Sequence, residues 1–598
     1  VMVLSAFTRS SKSFPDGLRR RERNKRAALS SVSGSLGLVL GLWMTGLGPV
    51  FAQDTPATAP AREGGIVTVA AQPLTAPDGW TTPGHAAEKI LSPEQAQRLW
   101  AGSTASVLRP LLTGEEAFTG LSPELETLLR RVLATGARGP IGGETDAGLL
   151  AGRIQGLIRL GDLEAASQIL SRTPRVGDSS ALSQARADLQ LLRGDTAGAC
   201  DTAQMVQDNR NGRNWLKIRA LCHVLNGDKP AAELALGLYQ QAGPATNSFD
   251  GLMAYALFGG KTKPQASARD AAELALSRHL ALDLSAAVRD APLPMLVSLS
   301  SEKELSSSAR VRLMRTLFAH DLVSVDTLRS VLWPEIAASA GAEAPVAPKP
   351  VSLSAKDWAA LAKDRTAAGE ARLWAVLRAG KDLKQREAAL ALLIDRAGDG
   401  AARRQLLRLA YPELKSLADQ VETLSQPLRL ATWLAAAGDL TRAQTVRSAM
   451  KTEPAAEGAL TYEAIRALSS SEPVPAGLVA QATDLAGTLA GKARSRVRGL
   501  ALILAVSRGL KGEGRGALET LSPEATSLSA GQSLALQAAI SDQAVGEVAL
   551  RVAEAYASRA KPGRNLSDAD LAVLINGLRV SGFDHAARDM ALNALNGL

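Results

Sequence analysis

Residues 214–244 read NWLKIRALCHVLNGDKPAAELALGLYQQAGP, and the Gly227-Asp228 pair in their middle decides the fold. An apolar helical run reaches Gly227, the residue best able to end a helix in the left-handed conformation. Asp228 then caps the free N–H groups of a second helix, and Pro230 sits in its first turn, where no donor is needed. Ala232, four residues after Asp228, falls one turn inside that second helix, where a small side chain lets two backbones cross closely. The segment therefore reads as a helix, a tight turn and a second helix.

The phrase repeats. Gly161-Asp162, Gly194-Asp195 and Gly227-Asp228 lie 33 residues apart, and each is followed by Ala at the same offset: Ala166, Ala199 and Ala232. Gly438-Asp439 with Ala443 is a further copy, and Gly582-Phe583 with Ala587 a degenerate one. A fixed period of this length is the mark of stacked supersecondary units. Trp215 early in the first helix, the Gly-Asp turn, Ala232 and Pro244 resemble the tetratricopeptide repeat, over residues 149–244 well and elsewhere in scattered units. Two features depart from that pattern: Pro174 follows Asp162 too early, and the usual aromatics are mostly aliphatic. The resemblance implies an all-α chain of helical-hairpin repeats, a TPR-like α-solenoid, whose concave face binds other proteins or peptides.

The rest of the composition agrees with helices. Hydrophobic residues make up 46% of the 598 and aromatic ones only 4%, so the core is built from Ala, Leu and Val, which suit close helix packing. Three copies of Leu-Ser-Pro-Glu, at 91–94, 121–124 and 521–524, read as helix starts: Ser as cap, Pro in the first turn, Glu at the positive end of the dipole. Residues 337–354 alternate Ala and Pro without an amphipathic period, and read either as a linker between two helical halves, 86–336 and 355–598, or as a surface loop within one superhelix. Residues 53–85 are rich in Pro, Ala, Thr and Gly and read as a disordered tether.

The net charge of +9 is concentrated at the start of the chain. Residues 1–52 hold eight basic side chains against Asp16 and Glu22, leaving 60 basic and 57 acidic residues elsewhere. That remainder is too balanced for a phosphate-binding surface, so no nucleic-acid partner is expected. The basic run at 19–26, the apolar run at 36–50 and Val50-Phe51-Ala52 together read as a signal peptide cleaved after Ala52. The expected location is the periplasm, with no integral membrane contact after cleavage; the alternative is an inner-membrane anchor through residues 29–52.

No catalytic or cofactor pattern emerges. The five histidines, His85, His223, His279, His320 and His585, lack metal-ligand spacing, so no metal is expected. Gly260-Lys261-Thr262 and Gly491-Lys492 lack the upstream glycine of a phosphate loop, and residues 512–516 (GEGRG) follow a helical run rather than a strand. The expectation is a non-enzymatic interaction scaffold or adaptor in the bacterial cell envelope, without cofactor, holding a protein or peptide partner. The competing class is a peptidoglycan-acting enzyme, because superhelical lytic transglycosylases join an α-superhelix to a catalytic domain; that chemistry needs a Glu general acid among aromatics. Within stacked hairpins the only two cysteines, Cys200 and Cys222, fall at similar heights on adjacent antiparallel helices. A disulfide between them is expected in an oxidising compartment, against the alternative of two separate buried thiols.

Overall fold

The computed structural model describes residues 78–114, 118–244, 247–339, 353–509, 528–558 and 566–596. The signal peptide, most of the tether and of the expected linker, the GEGRG loop and the third Leu-Ser-Pro-Glu copy lie outside these residues. Among the described residues there are 28 α-helices and no β-strand; one isolated bridge joins Thr104 to Ile141.

The Gly-Asp turns form as the chemistry requires. Gly161, Gly194, Gly227 and Gly438 have φ of +79°, +80°, +74° and +89°. In each turn two N–H groups reach back to orphan helical carbonyls: Gly161 N donates to Ile158 O (2.9 Å) and Asp162 N to Leu157 O (2.8 Å), with the same pair of bonds at the other three. The Asp side chains then cap the next helix, accepting from the N–H of Ala165, Gly198, Ala231 and Arg442. Ala166, Ala199, Ala232 and Ala443 are fully buried at 0% exposure, so a larger side chain there would push the paired helices apart.

The same turn also occurs where the sequence does not advertise it. Ala281, Asp321 and Gln543 occupy its left-handed position with φ of +48°, +56° and +56°, a conformation that favours glycine. Of the Leu-Ser-Pro-Glu starts, Ser92 forms the expected cap, reciprocated by Gln95, whereas Ser122 makes no capping bond and is buried.

Residues Ala76–Leu598 form one unit, and its ends meet. Gly546 N donates to Leu99 O at 2.8 Å, and Ser103 Oγ donates to Glu547 at 2.6 Å in a buried contact. A Cβ on Gly546 would stand 2.6 Å from both Leu99 O and the Trp100 ring, so glycine is what permits this approach. The Pro123–Ala134 helix is the keystone: it packs on Ala147–Arg159 on one side and on Val545–Ala557 and Asp584–Asn596 on the other. Its Glu126 binds His320 Nδ1 at 2.7 Å, and Arg130 donates to the carbonyls of Leu160 and His320. Across the expected linker, the Val325–Ser339 and Ala367–Ala379 helices pack directly, with Trp333 and Trp374 ring centroids 5.2 Å apart. The start of the described chain is folded as well: Trp80 and Thr82, in the stretch expected to be a tether, are 2% and 4% exposed.

Candidate functional site

Each of the three hairpins turning at Gly161, Gly194 and Gly227 contributes a first helix of 13 residues, about 20 Å long. The Gly-Asp turns close the C-terminal ends of Ala147–Arg159, Ser180–Leu192 and Arg213–Leu225. Away from those turns, the same three helices and the connection before Arg213–Leu225 line a groove of about 550 Å³. Gln155, Gln184, Asn209 and Asn214 present amide side chains to it, Asp208 and Arg213 add one charge of each sign, and Trp215 forms its floor. Trp215 is 1% exposed, and its indole N–H donates to Ser180 Oγ at 2.8 Å, fixing one helix against the next. The turn residues singled out in the sequence are therefore structural; the groove residues carry no spacing signal of their own, since polar side chains on helices and their connections are commonplace.

The cysteines meet. Cys200, on Thr196–Met205, and Cys222, on Arg213–Leu225, form a disulfide with Cα atoms 5.6 Å apart. The loop it closes carries the 208–215 wall of the groove.

Behind the groove, Lys217 is buried with its ammonium 2.5 Å from Asp270, 3.5 Å from Glu273 and 4.5 Å from the Phe249 ring centre. Asp188, which accepts from Gln184 Nε2 at 2.8 Å, has its pKa pushed up to about 7 by burial and by the neighbouring Asp270 charge, against the bond from Gln184. The folded protein thus holds a proton that the unfolded chain, with an aspartate pKa of about 3.9, releases. Stability from this group is full below about pH 4 and is lost as pH rises through about 7. Asp188→Asn is expected to flatten that fall and to be more stable than the parent at pH 8, by on the order of 2 kcal/mol. Urea midpoints at pH 5 and pH 8 measure this; a variant with the parent's pH slope would refute it.

A second concavity, of about 430 Å³, lies where the keystone helix meets the Gly400–Leu409 helix and the turn into Asp584–Asn596. Arg404 sits between two carboxylates, 2.6 Å from Asp589 and 3.5 Å from Glu124. His585 Nδ1 lies 2.8 Å from the other Asp589 oxygen, and that bond raises the histidine pKa. Burial pushes Asp589 up, but His585 and Arg404 outweigh it and hold the carboxyl below its usual range. Arg408 pairs with Asp321 at 3.3 Å on the rim.

Histidines that looked solitary in the sequence are mostly partnered. His85 meets Asp162 at 2.8 Å and His320 meets Glu126, contacts between residues 77 and 194 apart in sequence. His585 and Asp589, one helical turn apart, were legible in principle from their spacing. No group of three His, Cys, Asp or Glu residues able to hold a metal ion occurs among the described residues. No helix among them is long and apolar enough to cross a membrane. Neither a family model, nor a curated protein, nor a solved structure matches this chain.

Proposed function

We propose that this protein is a non-enzymatic scaffold of the bacterial cell envelope that holds a protein or peptide partner along the 148–215 groove. The observation that carries the reading is the groove itself: three helices and the 206–212 connection side by side, offering four amide side chains and one balanced charge pair over a rigid aromatic floor. Side-chain amides both donate and accept, which suits the backbone of an extended polypeptide rather than an ionic ligand. The disulfide fits the periplasmic location implied by residues 1–52, because such bonds persist in oxidising compartments. The glycan-cleaving alternative finds less support. It requires a carboxyl that keeps its proton in an open cleft; Asp589 in the junction cleft is held in the opposite direction, and the two carboxyls that burial raises, Asp188 and Glu413, line neither the groove nor the junction cleft.

A photo-crosslinking residue placed at Gln184 or Asn214 in the intact protein, expressed in its native host, tests this. The expected result is a discrete higher-mass adduct from both positions and none from the exposed Glu233 on the Lys229–Gln241 helix. No adduct from the groove positions, or equal adducts from all three, would overturn the reading.

A further inference from the structure

The junction cleft carries a pattern that its role as a packing joint does not use. Glu124, Thr127, Leu128 and Arg131 all face it from the Pro123–Ala134 helix, at the i, i+3, i+4, i+7 spacing of one helical stripe. The stripe is acidic at one end and basic at the other. Glu124 is largely enclosed, its side chain only 13% exposed; Oε1 faces Arg404 at 3.5 Å, while Oε2 is buried with no hydrogen-bond partner. A buried carboxylate oxygen without a donor is a position that an incoming N–H, best a charged one, would satisfy. Arg131 is exposed, gives one N–H to Ile90 O at 3.2 Å, and has no carboxylate within ion-pair distance among the described residues. Its remaining donors are free to bind a carboxylate in two-pronged fashion.

The lining also narrows the ligand class. Asp321, Asp584 and Asp589 disfavour a polyanion such as a nucleotide, and Arg404 and Arg408 disfavour a polycation. What fits is a zwitterion with well-separated ends. Residues seven apart on a helix stand about 10 Å apart along its axis, which is about the span of three extended residues. The volume of about 430 Å³ is of small-ligand size.

We propose that this cleft binds a short unblocked peptide of two or three residues, its N-terminal ammonium on Glu124 and its C-terminal carboxylate on Arg131. The proposal does not rest on the partner groove. Because the walls come from residues near 124, 321, 404 and 585, such a ligand would also bridge the two ends of the unit.

Calorimetric titration of the full chain with trialanine, its N-acetylated form and its C-terminal amide is the test. The expected result is binding of the free peptide, weakened about tenfold or more by either block, equivalent to about 1.4 kcal/mol. Glu124→Gln should abolish the discrimination against the acetylated form, and Arg131→Met the discrimination against the amide. Arg131 is exposed, so its variant keeps the test readable if Glu124→Gln loosens the Arg404 joint. Absence of binding by any free di- or tripeptide, or equal binding of blocked and free forms, would overturn the proposal. Gln184→Ala and Asn214→Ala should leave trialanine binding unchanged, which separates this outcome from that of the groove.

Discussion

Replacing Arg153 with methionine is expected to destabilise the protein by about 4 kcal/mol or more. Arg153 is 1% exposed in the middle of Ala147–Arg159 and has no carboxylate at ion-pair distance among the described residues. A guanidinium carries five N–H donors, and all five are used on backbone carbonyls. Nε donates to Leu133 O at 2.7 Å; one terminal nitrogen serves Gly79 O and Trp80 O, the other Thr82 O and Thr135 O. Burial pulls its pKa down to about 9. The cost of enclosing the charge is offset because every donor is matched; of the five carbonyls, Trp80 O is shared with the Ala137 N–H at 2.9 Å, and the others rely on the guanidinium more heavily. Methionine keeps the length and removes all five donors, leaving carbonyls unpaired at about 1–3 kcal/mol each where water does not reach them. Lysine, with three donors and no fixed fork, should fall between. Urea unfolding reads the effect directly. A loss below about 1 kcal/mol for Arg153→Met would mean that water replaces the guanidinium, and that residues 79–82 are not held by it.

Nothing in the sequence marks Arg153. It lies in AGRIQGLIRL, where an arginine on an amphipathic helix reads as a solvated face. The hairpins were legible because their signal is local. A glycine, the aspartate that follows it and an alanine one turn on each answer to chemistry within a few residues, so four turns could be placed from the letters alone. The turns at Ala281, Asp321 and Gln543 were not legible, because there the surrounding helices impose the left-handed residue against its own preference. The two ends of the unit were also invisible. The bonds that join them, Gly546 to Leu99, Ser103 to Glu547 and Gln95 to Gly582, link residues more than 440 apart. No periodicity encodes a contact of that range. The candidate sites divide in the same way: the cysteine pair followed from hairpin register, whereas the groove needed three helices brought side by side, and the junction cleft needed three distant parts of the chain.

The disulfide gives the second large effect and ties stability to the groove. It closes a separation of 22 residues, for which the loss of unfolded-chain entropy amounts to about 3 kcal/mol. The double variant Cys200→Ser, Cys222→Ser should lower the urea midpoint accordingly, and the parent protein unfolded in reductant should match it. Both sulfurs are enclosed, Cys200 and Cys222 being 8% and 6% exposed, so reductant should act slowly on the folded protein and quickly once it opens. The closed loop contains Asp208, Asn209, Arg213, Asn214 and Trp215: the groove's charge pair, two of its four amides and its floor. Cutting the bridge releases the 206–212 connection from the helix that follows it. Crosslinking from Asn214 should therefore fall in the serine variant even at temperatures where the protein remains folded. Trp215 stays pinned by Ser180 and by its own burial, so crosslinking from Gln184, on the neighbouring helix, should fall less. Two thiols that alkylate in the folded, oxidised protein, or a midpoint indifferent to reductant, would remove the bridge. They would also remove the reason for expecting a rigid wall on that side of the groove.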